Sequence, residues 1–227
     1  MSITLYSLCG TDAARPFSPH CWKIVMALAH KGLDFEERPL PFTAIPQIEN
    51  GASATVPLIR DGDRLVSDSF QIALYLEEAY PEQPSLFNGD GGKAMARFVE
   101  GYSQTVLHTA ATKIGVKMIH DMLDPVDREY FRRTREGRLG GTLEDISSNR
   151  DAEIAAFPAK LEPIRHMLKF QPFLGGEGPL FADYIVVGLF QWLRITTGST
   201  HLSVADPVTL WLDRCLDLFG GRARAVA

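Results

Sequence analysis

Positive charge is in short supply. The 227-residue chain has 23 lysines and arginines against 28 aspartates and glutamates, a formal charge of -5. That balance argues against a nucleic-acid-binding surface. The one cationic cluster, Arg132, Arg133, Arg135 and Arg138, is mixed with Glu129 and Glu136 and reads as a solvated helix face. Cysteine is scarcer still. Cys9, Cys21 and Cys215 form an odd, sparse set, which argues against a disulfide scaffold and for a reducing compartment. Long apolar runs are missing: the longest, around Tyr184 to Leu193, is too short to cross a bilayer. The opening MSITLYSL lacks the basic and apolar regions of a signal peptide. A soluble, cytoplasmic protein with no membrane or nucleic-acid partner is expected. HExxH, Walker and GxGxxG patterns are absent, and six scattered histidines show no ligand spacing, so no metal is expected.

Apolar residues make up 45% of the chain, enough for a full core. Residues 3–8, ITLYSL, read as a strand covered on both faces. Trp22, Val25, Met26 and Ala29 then form one apolar stripe, which predicts a helix from Pro19 to His30, closed at Gly32. LDFEERPL suggests a second strand, parallel to the first by the crossover rule. VPLI and RLV flank the turn DGDR, a hairpin signal, and a helix from Phe70 to Ala79 follows. Residues 1–80 therefore read as one α/β unit, and 81–92, rich in proline and glycine, as a linker. The rest, 93–227, reads as all-helical. Its predicted helices are Lys93–Met122, Pro125–Asn149, Asp151–Phe170, Asp183–Thr197 and Asp206–Phe219, the fourth apolar nearly all round.

Three short features could carry chemistry. In FSPHCWK, Ser18 precedes a proline at a helix start. It is either a plain N-cap or a hydroxyl that works on a ligand. Pro57 opens a strand, although proline cannot donate to a ladder. Either it sits at an edge, or a cis bond turns the Val56 backbone toward a ligand. Ser67, Asp68 and Ser69 stand at a helix N-terminus, which favours an anion or simply caps. Ser18 has no histidine–acid partners of a hydrolase triad, since His20, two residues on, faces elsewhere.

The order of these motifs resembles the soluble glutathione transferase superfamily over nearly the whole chain. VPLI, then Asp68-Ser69, then a helix ending LEEAYP carries the resemblance, with GGEGPLFADY opening a helix of the second half. FSPHCWK is most similar to the bacterial β-etherase branch and its fungal relatives. The resemblance implies a thioredoxin-like N-terminal domain and an all-α C-terminal domain. It implies that Ser18 faces the glutathione sulfur and that Val56, before cis Pro57, pairs its backbone with the cysteinyl part. Asp68 and Ser69 would hold the γ-glutamyl end, and Asp183 would be a buried structural aspartate at a helix start. Departures are visible. Thr55 stands where relatives have lysine, leaving Gln47 and Arg38 as candidates for the glycine carboxylate. Leu180 stands where relatives have a serine or threonine cap, and Cys21 stands at the second position of a CxxC pattern and is read as inert.

Glutathione is thus expected as co-substrate, without metal, and a small hydrophobic aromatic electrophile as acceptor. Phe17, Trp22, Tyr102 and Val106 are candidates for the acceptor wall or for the core. β-Aryl ether cleavage is the leading reaction. General conjugation, maleylacetoacetate-type isomerisation (for which the first loop offers only Arg15) and a non-catalytic interaction module are the alternatives. A homodimer is expected from the resemblance, with Phe70 and Tyr130 as candidate exposed aromatics.

Overall fold

The computed structural model describes residues 2–227. Strands β1 (Ile3–Leu8), β2 (Phe35–Leu40), β3 (Leu58–Asp61) and β4 (Arg64–Ser67) form one sheet in the order β2-β1-β3-β4. β1 and β2 run parallel, with Ile3 opposite Phe35, and β1–β3 and β3–β4 are antiparallel. The parallel pair requires a crossover, and α1 (Pro19–His30) supplies it. Helix α2 (Ser69–Ala79) follows the hairpin and packs against α1. Residues Phe42–Asn50, between β2 and β3, form 3-10 turns. This first unit is thioredoxin-like.

The second unit is all-helical: α3 (Asp90–Tyr102), α4 (His108–Asp121), α5 (Pro125–Leu139), α6 (Leu143–Ile146), α7 (Arg150–Ala156), α8 (Glu162–Leu168), α9 (Phe181–Thr197), α10 (Pro207–Leu216) and α11 (Leu218–Gly221). Three long helices expected from sequence are interrupted. A π turn at Ser103–Leu107 divides α3 from α4. Gly140, at φ 76°, closes α5 in the left-handed region. Pro158 and Pro163, each lacking an N–H, turn the next segment into a 3-10 turn between α7 and α8.

Helix α9 is the central element, buried at every position from Phe181 to Leu193. It presses directly on α1: a Cβ at Gly188 would sit 2.2 Å from the Pro19 carbonyl oxygen, so only glycine permits this approach. At its start Asp183, fully buried, accepts from the N–H groups of Leu174 (2.7 Å), Gly175 (2.9 Å) and Leu180 (3.0 Å) and from the Trp211 indole (2.9 Å). The Asp183–Leu180 bond is one half of a capping box. Leu180 has no side-chain acceptor to give the other half, so Asp183 draws its partners from the loop before it.

Two of the polar links that join the units involve buried charged side chains. The Lys23 ammonium on α1, fully buried, lies 2.9 Å from the Glu100 carboxylate on α3. Asp127 on α5, also buried, accepts from the N–H groups of Phe42 (2.6 Å) and Thr43 (3.0 Å) and from the Thr43 hydroxyl (2.8 Å). Phe70, read as an exposed aromatic, is instead only 2% exposed, under the Arg97 guanidinium and edge-on to Phe181. It is core and offers nothing to a partner chain.

Candidate active site

A cavity of about 1060 Å³ lies between the two units. Ser18, Val56, Pro57, Asp68 and Ser69 all line it on the thioredoxin-like side. Each is placed there by local backbone geometry. Ser18 is the N-cap of α1, its Oγ 3.3 Å from the Cys21 N–H, with proline at the first helical position. That bond uses the hydroxyl as acceptor and leaves its proton available to donate. The Val56–Pro57 peptide is cis. Val56 lies just before β3, outside the ladder that pairs Leu58 with Ser67. Asp68 holds an uncommon positive φ of 70° and caps α2, one carboxylate oxygen accepting from Phe70 and Gln71 N–H at 3.0 Å each. Ser69, expected either to cap or to bind, is the first residue of the helix and is buried. The N-termini of α1 and α2 therefore both open on the same cavity, where their fields favour negative charge.

The helical wall is made differently. Glu100 and Gln104 come from α3 and the π turn, His108 and Val116 from α4, Tyr130, Phe131 and Arg135 from α5, and Trp192 from α9. His20 stacks on His108 (5.4 Å between centroids), and His108 on Trp192 (6.0 Å). His108 Nδ1 lies 3.0 Å from the Ser103 carbonyl oxygen, so that nitrogen carries the proton. Burial pushes the His108 pKa down to about 4 and holds His20 well below its ordinary range, with the Lys23 charge acting in the same direction. Both rings are neutral at pH 7.

The four acceptor-wall candidates separate. Phe17, 2% exposed and tilted against Phe42, lines the cavity. Trp22, Tyr102 and Val106 do not. The Trp22 indole N–H donates to the Pro16 carbonyl at 2.8 Å and fixes the loop before Ser18. The Tyr102 hydroxyl donates to the Lys160 carbonyl. Val106 borders a separate cleft of about 190 Å³. Trp22 lies in the core and Tyr102 and Val106 pack against it, the alternative reading for each. Arg38 is bound to Glu36 on the exposed edge of the sheet, and Gln47 is exposed, so neither glycine-carboxylate candidate faces the cavity. Arg15 points to the Ile195 carbonyl at 3.4 Å and is also outside the lining. Conversely, Arg135 and Arg138, read as a solvated face, line the cavity. The missed signal was Phe131, which together with these arginines marks the inward side of α5.

No buried thiol competes as a nucleophile. Burial pushes Cys9 up to about 11 and Cys21 up to about 12, and raises Cys215 further. Among the described residues no group of three His, Cys, Asp or Glu side chains is placed to hold a metal ion, and no helix is long and apolar enough to cross a membrane.

A cavity on which two helix N-termini of a thioredoxin-like unit open, walled by an all-α unit, defines a two-domain class of protein, and sequence comparison places the chain in a family of that build. The family models for the glutathione S-transferase N-terminal domain and C-terminal domain match residues 14–84 and 94–214. The chain belongs to the glutathione S-transferase family. It is 28% identical over 214 residues to glutathione S-transferase-like protein ustS of Aspergillus flavus, covering 82% of this chain and 76% of that protein. The crystal structure of glutathione S-transferase CsGST63524 of Ceriporiopsis subvermispora in complex with glutathione is 25% identical, with a TM-score of 0.81 over 96% of each chain. The β-etherase LigF from Sphingobium sp. strain SYK-6 shares the fold, with a TM-score of 0.71 over 100% of both chains at 20% identity.

Proposed function

We propose that the protein binds glutathione on the thioredoxin-like wall and delivers its thiolate to an aromatic electrophile held against the helical wall. One observation carries this reading: Ser18, Val56, Asp68 and Ser69 meet in a single cavity that α3, α4, α5 and α9 close with aromatic and apolar side chains. The free carboxylate oxygen of Asp68 and the Ser69 hydroxyl suit the γ-glutamyl ammonium and carboxylate. The Val56 backbone suits the cysteinyl peptide. The Ser18 hydroxyl proton then faces sulfur.

A free thiol of this kind has a pKa of about 8.5, and the thiolate is the nucleophile. The Ser18 donor and the α1 N-terminus both favour the anion. Because one pKa unit is only about 1.4 kcal/mol, much of the acceleration must come from holding sulfur and electrophile together.

β-Aryl ether cleavage is the finer part of the proposal, supported by the likeness of FSPHCWK to that branch. The C–S bond forms, the C–O bond breaks, and a phenolate of pKa about 10 departs with the bonding pair. Maleylacetoacetate-type isomerisation stays as a second reading because Arg135 and Arg138, unlike Arg15, line the cavity. Turnover of a β-aryl ether dimer, a chlorinated nitrobenzene and maleylacetone with glutathione, compared by kcat/KM, separates these readings. Calorimetry showing no glutathione binding by the folded protein would sink all of them and favour a non-catalytic interaction module. The homodimer belongs to the same proposal, and light scattering giving a mass near 25 kDa at micromolar concentration removes it.

A further inference from the structure

The charged groups lining the cavity are carboxylates held by cations, hydroxyls or backbone N–H groups, and cations of which two meet no carboxylate. Glu100 is held by Lys23 at 2.9 Å and Glu153 by Lys113 at 2.6 Å. Asp145 accepts the Thr142 hydroxyl at 2.6 Å, and Asp68 caps α2. Arg135 and Arg138 differ. No ion pair among the described residues involves either, whereas their neighbour Arg132 reaches Glu136 and Glu144, each at 2.8 Å.

Arg135 is the more confined of the two. Its guanidinium centre lies 4.9 Å from the ring centroids of both Phe42 and Phe131. Its one hydrogen bond among the described residues runs from Nη1 to Thr134 Oγ1 at 3.0 Å. Burial, then the repulsion of Arg138, pushes its pKa down to about 10, so it stays charged at neutral pH. A partly desolvated cation without a counter-ion is unfavourable, and an anion entering from solvent relieves it. A guanidinium offers two parallel N–H donors, the fork that a carboxylate matches. Tyr130 and Leu139, on the same helix and also lining the cavity, supply apolar surface for whatever bears that carboxylate.

We propose that the acceptor substrate is an aromatic compound carrying a carboxylate, and that Arg135, with Arg138 one turn further along α5, holds that group. This rests on the glutathione transferase reading above. It makes the helical wall selective for charge as well as for apolar bulk.

The probes are 4-chloro-3-nitrobenzoate and its methyl ester, which differ in that charge and by one methyl group. Thiolate attack forms the C–S bond, breaks C–Cl and releases chloride with the bonding pair, and the carboxylate takes no part. Titration calorimetry of the two glutathione conjugates, and of glutathione alone, reads recognition without turnover. The acid conjugate should bind about tenfold tighter than the ester conjugate, and Arg135→Gln should erase that difference while glutathione itself keeps its Kd within about twofold. Arg135→Lys, with a point charge in place of the fork, should retain part of it. Equal binding of the two conjugates to the wild type overturns the inference and spares the transferase reading, and that comparison decides alone should a variant not fold. An undiminished preference in Arg135→Gln overturns it too. A tenfold loss of glutathione affinity in that variant would instead assign Arg135 to the glycine carboxylate. Absence of glutathione binding by the wild type removes both the reading and the inference.

Discussion

The two walls of the cavity are built on opposite principles. The thioredoxin-like wall presents backbone and caps: a helix N-cap at Ser18, the backbone at Val56, a second N-cap at Asp68. Each belongs to a short contiguous stretch. The helical wall presents side chains, and Glu100, His108, Arg135 and Trp192 come from four helices spread over more than ninety residues. A wall of caps suits a ligand that never changes, because its geometry is fixed by local chain chemistry. A wall of side chains can be altered one residue at a time without disturbing the fold, which suits a variable second substrate.

If the helical wall depends on long-range packing, removing its central anchor should have the largest effect. Asp183→Ala leaves three backbone N–H groups and the Trp211 indole N–H buried without an acceptor. A loss of about 3–5 kcal/mol is expected, read as a lowered denaturant midpoint. A loss below about 1 kcal/mol would mean that water or repacking replaces the carboxylate, and that α9 is held by apolar contact alone.

The joint between the walls should come next. Glu100→Gln leaves the buried Lys23 ammonium without its counter-ion, a loss of about 3 kcal/mol at pH 7. The pH dependence has a definite sign. Burial lowers the folded-state pKa of Lys23 below its ordinary value, and the Glu100 charge opposes that fall. Without Glu100 the folded pKa drops further, so between it and the unfolded value near 10.4 the unfolded chain binds more protons. Stability of the variant therefore rises with pH through that window. The gap from wild type should narrow between pH 7 and pH 10 in paired urea titrations, and a widening gap would contradict this account.

The same division explains what could be read from the chain. β1, α1, the Asp61–Arg64 hairpin and α2 follow from alternation, apolar stripes and caps within a dozen residues, and the functional stretches lie inside those signals. Residues 93–122 read as one helix because the apolar spacing of Val99, Leu107, Ala110 and Ile114 continues through the π turn, whose single extra residue leaves no mark in composition. Arg135 reads as part of a solvated face because its arginine cluster is mixed with Glu129 and Glu136. The arrival of Phe42 from the first unit, tied to α5 through Asp127, completes the aromatic floor that Phe131 begins. Phe70, a candidate exposed aromatic by sequence, is covered by Phe87 and Phe181, both from outside the first unit's strands and helices. Local chemistry reports caps and periods. It does not report which long-range neighbour arrives.

On the wall of caps a single truncation should act on the co-substrate specifically. Asp68→Ala is expected to weaken glutathione binding by at least tenfold, about 1.4 kcal/mol, by calorimetry. Stability should fall by only about 1 kcal/mol, the usual effect of a lost cap. Affinity retained within twofold would show that the α2 N-terminus, and not the carboxylate, holds the γ-glutamyl end.

The smallest effect is expected at Ser18, and it is the most informative about chemistry. Its Oγ already accepts the Cys21 N–H, so Ser18→Ala removes a cap and a thiolate donor together. The α1 field stays, the Val56 backbone stays, and Cys21, 1% exposed with a thiol pushed up to about 12, cannot take over as nucleophile. The loss in kcat/KM should therefore stay below about tenfold, or about 1.4 kcal/mol. Its pH dependence separates two roles. If the hydroxyl stabilises the thiolate, its removal raises the pKa of bound glutathione, and the midpoint of the rise with pH in kcat/KM for the acceptor, measured at saturating glutathione, moves up. The variant then loses most near pH 6.5 and recovers toward wild type above pH 9, where both thiols are ionised. If the hydroxyl only orients sulfur, the ratio of wild type to variant is the same at every pH. A shifted midpoint would put charge stabilisation in a side chain of the wall otherwise built from backbone and caps. A constant ratio would leave the helix terminus as the source of the anion's stability.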